Sequence, residues 1–120
     1  MSNKKTVSSF IRRQIYDGCL PEFHTGSLLT IAPKFFLSKA FGVYSRRTQR
    51  IWLNKTAPIS IEELTLVYLH ELSHWGVHMN SIDINLQEEE DLCDSCAIDI
   101  YTISKKCFTE AKEVVNEYIM

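Results

Sequence analysis

Apolar residues along this chain recur with two different periods, and the changes of period mark the elements. Between residues 6 and 18, Val7, Phe10, Ile11 and Ile15 fall at helical spacing with Gly18 as a stop, so a short helix is expected there. Pro21 to Gly26 reads as a loop. The run SLLTIAP, closed by Pro33, suits a strand, while residues 34–40 fit strand and helix equally. In AFGVYSRRTQRIWLN, alternating segments flank a polar turn, which predicts a hairpin from Phe41–Tyr44 and Arg50–Asn54.

The helical signal is strongest in PISIEEL. Ser60 can cap a helix, Glu63 completes a capping box three residues later, and Ile59 with Leu64 supplies a hydrophobic staple. Ile61, Leu64, Tyr68, Leu72, Trp75 and Met79 share one stripe, so the helix should run over about 61–79 and bury that stripe. Leu66, Val67 and Val77 make its other faces apolar too, which predicts a central helix. A second helical pattern, over about 87–106, places Leu86, Cys93, Cys96, Ala97, Ile100, Ile103 and Cys107 on one side. The amphipathic segment Phe108–Ile119 either continues that helix or follows a bend.

Composition narrows the setting. A chain of 120 residues, 45% hydrophobic, has room for one domain with its own core. Its net charge of -2 gives no basic excess for a nucleic-acid backbone. No stretch has the length of a signal peptide's apolar region or of a membrane span, so a cytoplasmic chain with no membrane partner is expected. Its cysteines, Cys19, Cys93, Cys96 and Cys107, are then expected as reduced thiols. Cys93-x-x-Cys96 has no second Cys-x-x-Cys to complete a zinc site, and small thiols on an apolar helix face are expected as core packing.

The chemistry concentrates in HELSHWGVH, residues 70 to 78, which holds three of the four histidines. On a helix, His70 and His74 lie about 40° apart around the axis and about 6 Å apart along it, so both imidazoles can reach one ion. Zinc suits two neutral imidazoles and a carboxylate, with a fourth position kept for water. Glu71, beside that face, is placed to act as general base and then acid. His78 would complete a three-histidine site only if Gly76 broke the helix, because on a straight helix it is about 80° round and about 12 Å along from His70. The alternative third ligand is Glu90. Glu88, Glu89 and Glu90 open the next helix, where carboxylates suit the dipole, but Glu90 borders the apolar side and so points partly inward. Asp94, one turn on, could hydrogen-bond the far nitrogen of a ligand histidine. His24 reads as a solvated loop histidine, and Tyr101 as core filler, with oxyanion stabilisation as its functional alternative.

HELSH followed by EDLCDSCA (with Glu90 just ahead of Asp91) resembles the gluzincin metallopeptidases, whose third ligand is a glutamate on the following helix, four residues ahead of a supporting aspartate. More narrowly, GVYSRRTQRIWLN, HELSHWGVH and Glu90-x-x-Cys-Asp-x-Cys-Ala resemble the ImmA/IrrE group, and the small stand-alone minigluzincins are similar in size. The resemblance spans about residues 40 to 104, and Cys93 and Cys96 depart from the small and aromatic residues of the narrower pattern. It implies an α+β fold, a small zincin-like domain with a short twisted sheet packed on the active-site helix and the ligand helix beyond. Residues 1–26 would be an N-terminal helix and loop, 27–106 the zincin core and 107–120 a C-terminal helix. One zinc ion would be held by His70, His74 and Glu90, with Glu71 catalytic and Asp94 supporting. The hairpin strand Phe41–Ser45 would rim the cleft and take an extended peptide by strand addition. The implied partner is a peptide or protein substrate, a transcriptional repressor among the candidates, with no direct nucleic acid, and the chain a monomer or small homo-oligomer. A metallopeptidase-like regulator with latent or no proteolysis is the rival expectation, and a purely structural zinc staple a third.

Overall fold

The computed structural model describes residues 2–26 and 40–120. Among them the elements are α1 (Asn3–Asp17), β1 (Gly42–Ser45), β2 (Arg50–Leu53), α2 (Ile61–Met79), α3 (Leu86–Ile103) and α4 (Lys105–Ile119). The arrangement is α+β, with four helices and one two-stranded antiparallel sheet among the described residues. The strand expected over residues 27–33 and the ambiguous stretch 34–39 lie outside the described residues. No described helix is long and apolar enough to cross a membrane.

Helix α2 is the hub, packed against α1, α3, α4 and both strands. Its start is fixed by the capping box: the Ser60 hydroxyl accepts from the Glu63 N–H at 3.1 Å, and the Glu63 carboxylate accepts from the Ser60 N–H at 3.3 Å. Leu64, Tyr68, Leu72 and Trp75 are buried along the expected stripe, and Leu69 and Val77 are buried on the other faces. Met79, assigned to that stripe by its spacing, is 40% exposed at the last turn. Gly76 does not end the helix. A Cβ there would meet Val7 Cγ1 at 3.0 Å and Ile11 Cδ1 at 3.3 Å, so its function is to let α1 lie close, with Phe10 against Trp75 at a centroid distance of 5.0 Å.

Helix α1 begins ahead of the expected residue 6 because Ser2 caps it, its hydroxyl accepting from the Lys5 N–H at 3.2 Å. It stops as expected at Gly18, whose φ of 70° is a left-handed conformation that costs glycine little. In α3, Cys93, Cys96, Ala97 and Ile100 are buried, but Leu86 and Ile103, expected on the same side, are exposed at 75% and 67%. They are the first and last residues of the helix, where its neighbours no longer cover it. At Ser104 the backbone leaves the helical region (φ -128°, ψ 86°) and the hydroxyl caps a new helix by accepting from the Cys107 N–H. The C-terminal helix therefore follows a break and starts at Lys105, two residues ahead of the expected boundary at 107.

The hairpin pairs Gly42 with Leu53 and Ser45 with Arg50. The far side of β2 is taken by the segment around Phe23, with the His24 N–H donating to the Ile51 carbonyl at 2.8 Å and the Ile51 N–H to the Glu22 carbonyl at 3.1 Å. Strand β1 lies so close to α2 that a Cβ on Gly42 would meet Val67 Cγ1 at 2.8 Å and Glu71 Cγ at 3.2 Å.

Candidate metal centre and its cleft

Four carboxylates and two imidazoles meet where α2 faces α3 and β1. His70 Nδ1 donates to Asp94 Oδ1 at 2.7 Å, and His74 Nδ1 donates to Glu89 Oε2 at 2.6 Å. A carboxylate can only accept, so each Nδ1 carries the proton, and in the neutral imidazoles each Nε2 presents a lone pair. Those two Nε2 atoms lie 3.2 Å apart. Glu90 presents a different oxygen to each, Oε2 to His70 Nε2 and Oε1 to His74 Nε2, both at 3.1 Å. With both rings neutral, three groups that offer lone pairs face one another, an arrangement that suits a cation, whereas protonated rings would donate to Glu90 instead. Ligand atoms of His70, His74 and Glu90 all lie within 4.8 Å of one another, and the three residues could hold a metal ion.

Each expected site residue has a definite place. Glu90 stands with the two histidines, and Asp94 reaches the far nitrogen of His70. His78 is outside the group; its Nδ1 pairs with the Tyr44 hydroxyl at 2.8 Å, since α2 stays straight through Gly76. Burial pushes the Tyr44 phenol up to about 12, with nearby Arg46 acting against it, so the hydroxyl keeps its proton. Glu71 is buried beside His70 and His74. Its carboxyl is raised first by burial; His70 and His74 lower it, Glu90 raises it, and a hydrogen bond from the Tyr44 N–H lowers it. Tyr101 is half-exposed and packs edge-on against Phe108 at 4.9 Å, away from the cleft, which corrects the expectation of core filler as well as the oxyanion alternative. The backbone of His24 joins the Phe23 segment to β2 and accepts from the Tyr118 hydroxyl, so it is more than a solvated loop residue. Cys93 and Cys96 are free thiols wholly inside the core.

Three contributors were not anticipated. Glu89, read as ordinary helix-start chemistry, is buried and bonded to His74 on one side and to Arg46 on the other, at 2.9 Å. The signal for it was present, because Glu89 continues the buried stripe of Cys93, Cys96 and Ile100 one turn towards the N-terminus, and a carboxylate on such a stripe needs partners. Tyr44 and Arg46 carry no such mark, since neither hairpin alternation nor composition says what they touch.

A cleft of about 470 Å³ opens beside His70 and Glu71. Its walls are Phe41 and Gly42 from the hairpin, Leu66 and Val67 from α2, and Ala97 and Ile98 from α3, with Asp94 at the rim. No family model matches the chain, and no curated protein or solved structure matches it either. The resemblance to gluzincins therefore rests on the sequence motifs alone.

Proposed function

We propose that the chain is a zinc metallopeptidase of the gluzincin type, with a zincin-like domain in which the hairpin and α3 flank the α2 helix. The observation that carries this is the convergence of two Nε2 lone pairs and the Glu90 carboxylate, each imidazole already committed through Nδ1 to a carboxylate. In a tetrahedral site the ligand–ligand edge is about 1.63 bond lengths, so zinc bonds of about 2.0 Å call for edges of about 3.3 Å. The two Nε2 atoms, 3.2 Å apart, are close to that edge, and Glu90 sets one carboxylate oxygen 3.1 Å from each of them. Imidazole, imidazole and carboxylate are also the donor set of hydrolytic zinc. The Glu90 side chain keeps 45% of its exposure and the cleft opens beside His70 and Glu71, which favours a site that water and substrate can enter over a closed structural staple.

Zinc, when bound, polarises a scissile carbonyl and acidifies water. The chain's own residues do the rest. Glu71, whose proton affinity is raised by burial, takes the proton of the attacking water and passes it to the departing amine. Asp94 and Glu89 fix the tautomer and tilt of His70 and His74. Gly42 lines the cleft without a side chain of its own, which leaves room for an extended peptide beside β1, and the apolar walls exclude bulk water from the reacting bond.

Glu71→Gln tests this reading. The variant should bind zinc as the unaltered chain does and lose casein hydrolysis by about 10²-fold or more. Cleavage retained by the variant would overturn the mechanism.

A further inference from the structure

We propose that Arg46, in the hairpin turn, is a positioning residue for the metal centre, holding His74 in its ligating orientation through Glu89. The proposal rests on the metal reading of His70, His74 and Glu90.

The two ligand histidines are supported in different ways. Asp94, which holds His70, has a side chain 70% exposed, so water completes the solvation of its carboxylate. Glu89, which holds His74, is buried. A buried carboxylate that uses one oxygen on an imidazole N–H has a second oxygen to satisfy, and leaving it bare costs more than a surface carboxylate ever pays. Arg46 Nη2 meets that second oxygen, Oε1, at 2.9 Å while Oε2 stays with His74 Nδ1 at 2.6 Å. Between them the two contacts fix the plane of the carboxylate and so the tilt of the His74 ring. Without the guanidinium, the cheapest relief for Glu89 is to rotate Oε1 towards water, and that rotation withdraws Oε2 from His74.

The geometry also explains why the cation comes from the hairpin. Arg46 follows directly on β1, the strand that places Gly42 at the cleft and the Tyr44 N–H on Glu71. One short hairpin therefore reaches the base, the cleft and, through Glu89, a metal ligand. The Arg46 side chain is itself 53% exposed, so replacing it removes little packing and the variants should fold.

The test is zinc affinity, measured by competition with a chromophoric chelator. The proteins are the unaltered chain, Arg46→Ala, Arg46→Lys, Glu89→Gln and the Arg46→Ala/Glu89→Gln pair, with thermal unfolding of each metal-free protein alongside. Removing an outer partner of a metal ligand typically weakens binding by 10- to 100-fold, so Arg46→Ala, one step further out, should weaken zinc by about 3- to 10-fold. Arg46→Lys should recover most of that loss. In the Glu89→Gln background, Arg46→Ala should change affinity by less than about twofold, because the partner it acts through is gone. Unchanged affinity in Arg46→Ala would overturn the proposal, and so would an equal loss in both backgrounds, which would mean that Arg46 acts on the fold. If Arg46→Ala does not fold, Arg46→Gln against Arg46→Lys carries the same comparison. Failure of the unaltered chain to take up zinc would overturn the metal reading, and this proposal with it.

Discussion

Gly42→Ala puts the closeness of β1 and α2 to a quantitative test. The added Cβ would stand 2.8 Å from Val67 Cγ1, 3.0 Å from Leu53 Cδ2 and 3.2 Å from Glu71 Cγ. Leu53 can yield at the end of a flexible chain, but Val67 is β-branched on a helix and has one strongly preferred rotamer. Reaching an ordinary contact of about 3.5 Å from Val67 requires the strand to retreat by about 0.7 Å. Overpacking of this kind costs about 1–3 kcal/mol. For a chain of this length each kcal/mol moves the melting temperature by about 4 °C, so a loss of about 4–12 °C is expected in metal-free protein followed by circular dichroism. The same retreat moves the Tyr44 N–H from Glu71 and alters the cleft beside Gly42, so hydrolysis should fall by more than the thermal loss alone explains at a temperature where both proteins are folded. A melting temperature within 1 °C or so of the unaltered chain, with full activity, would refute the reasoning.

Metal-free Glu71→Gln should show a pH-dependent gain in stability. Burial raises the Glu71 pKa, so the folded chain binds this proton more tightly than the unfolded chain, and the stability it contributes is full below the unfolded value and lost as pH rises through the folded one. The variant, which never ionises, should melt higher than the unaltered protein at neutral pH, with the difference gone by about pH 4; a difference independent of pH would contradict the burial argument. Tyr68→Phe removes a fully buried hydroxyl that has no hydrogen-bond partner among the described residues, and should be neutral or stabilising by up to about 1 kcal/mol in urea unfolding. A loss of more than about 1 kcal/mol would mean that the hydroxyl has a partner after all.

What could be read from the residues alone follows from how local the determinants are. Helix α2 was legible at both ends because its capping box, staple and stripe all lie within the segment. His70, Glu71 and His74 were legible for the same reason, since helical periodicity alone puts the two histidines on one face and Glu71 beside it. The carboxylates of α3 were harder. A step of one residue turns a side chain by about 100°, and that step separates buried Glu89, which supports His74, from half-exposed Glu90, which faces both rings. Glu90 was identified from its place on the border of the apolar face, while Glu89 was set aside although it lies on the buried stripe itself. The break at Ser104 was not legible in position, because Ser-Lys-Lys-Cys contains no glycine or proline. Contacts from the hairpin to the site, Tyr44 to His78 and Arg46 to Glu89, join residues 34 and 43 positions apart and depend on how the strand docks on α2.

X-ray absorption at the zinc edge, on protein loaded with one equivalent of zinc, tests the central claim most directly. Coordination by His70, His74 and Glu90 should give only nitrogen and oxygen neighbours at about 2.0 Å, with the outer-ring scattering of two imidazoles. His74→Ala and Glu90→Ala should each lose one protein ligand from that shell. Sulfur scattering at about 2.3 Å would place the ion on the cysteines, and the signature of three imidazoles would bring in His78. Either result would contradict the account.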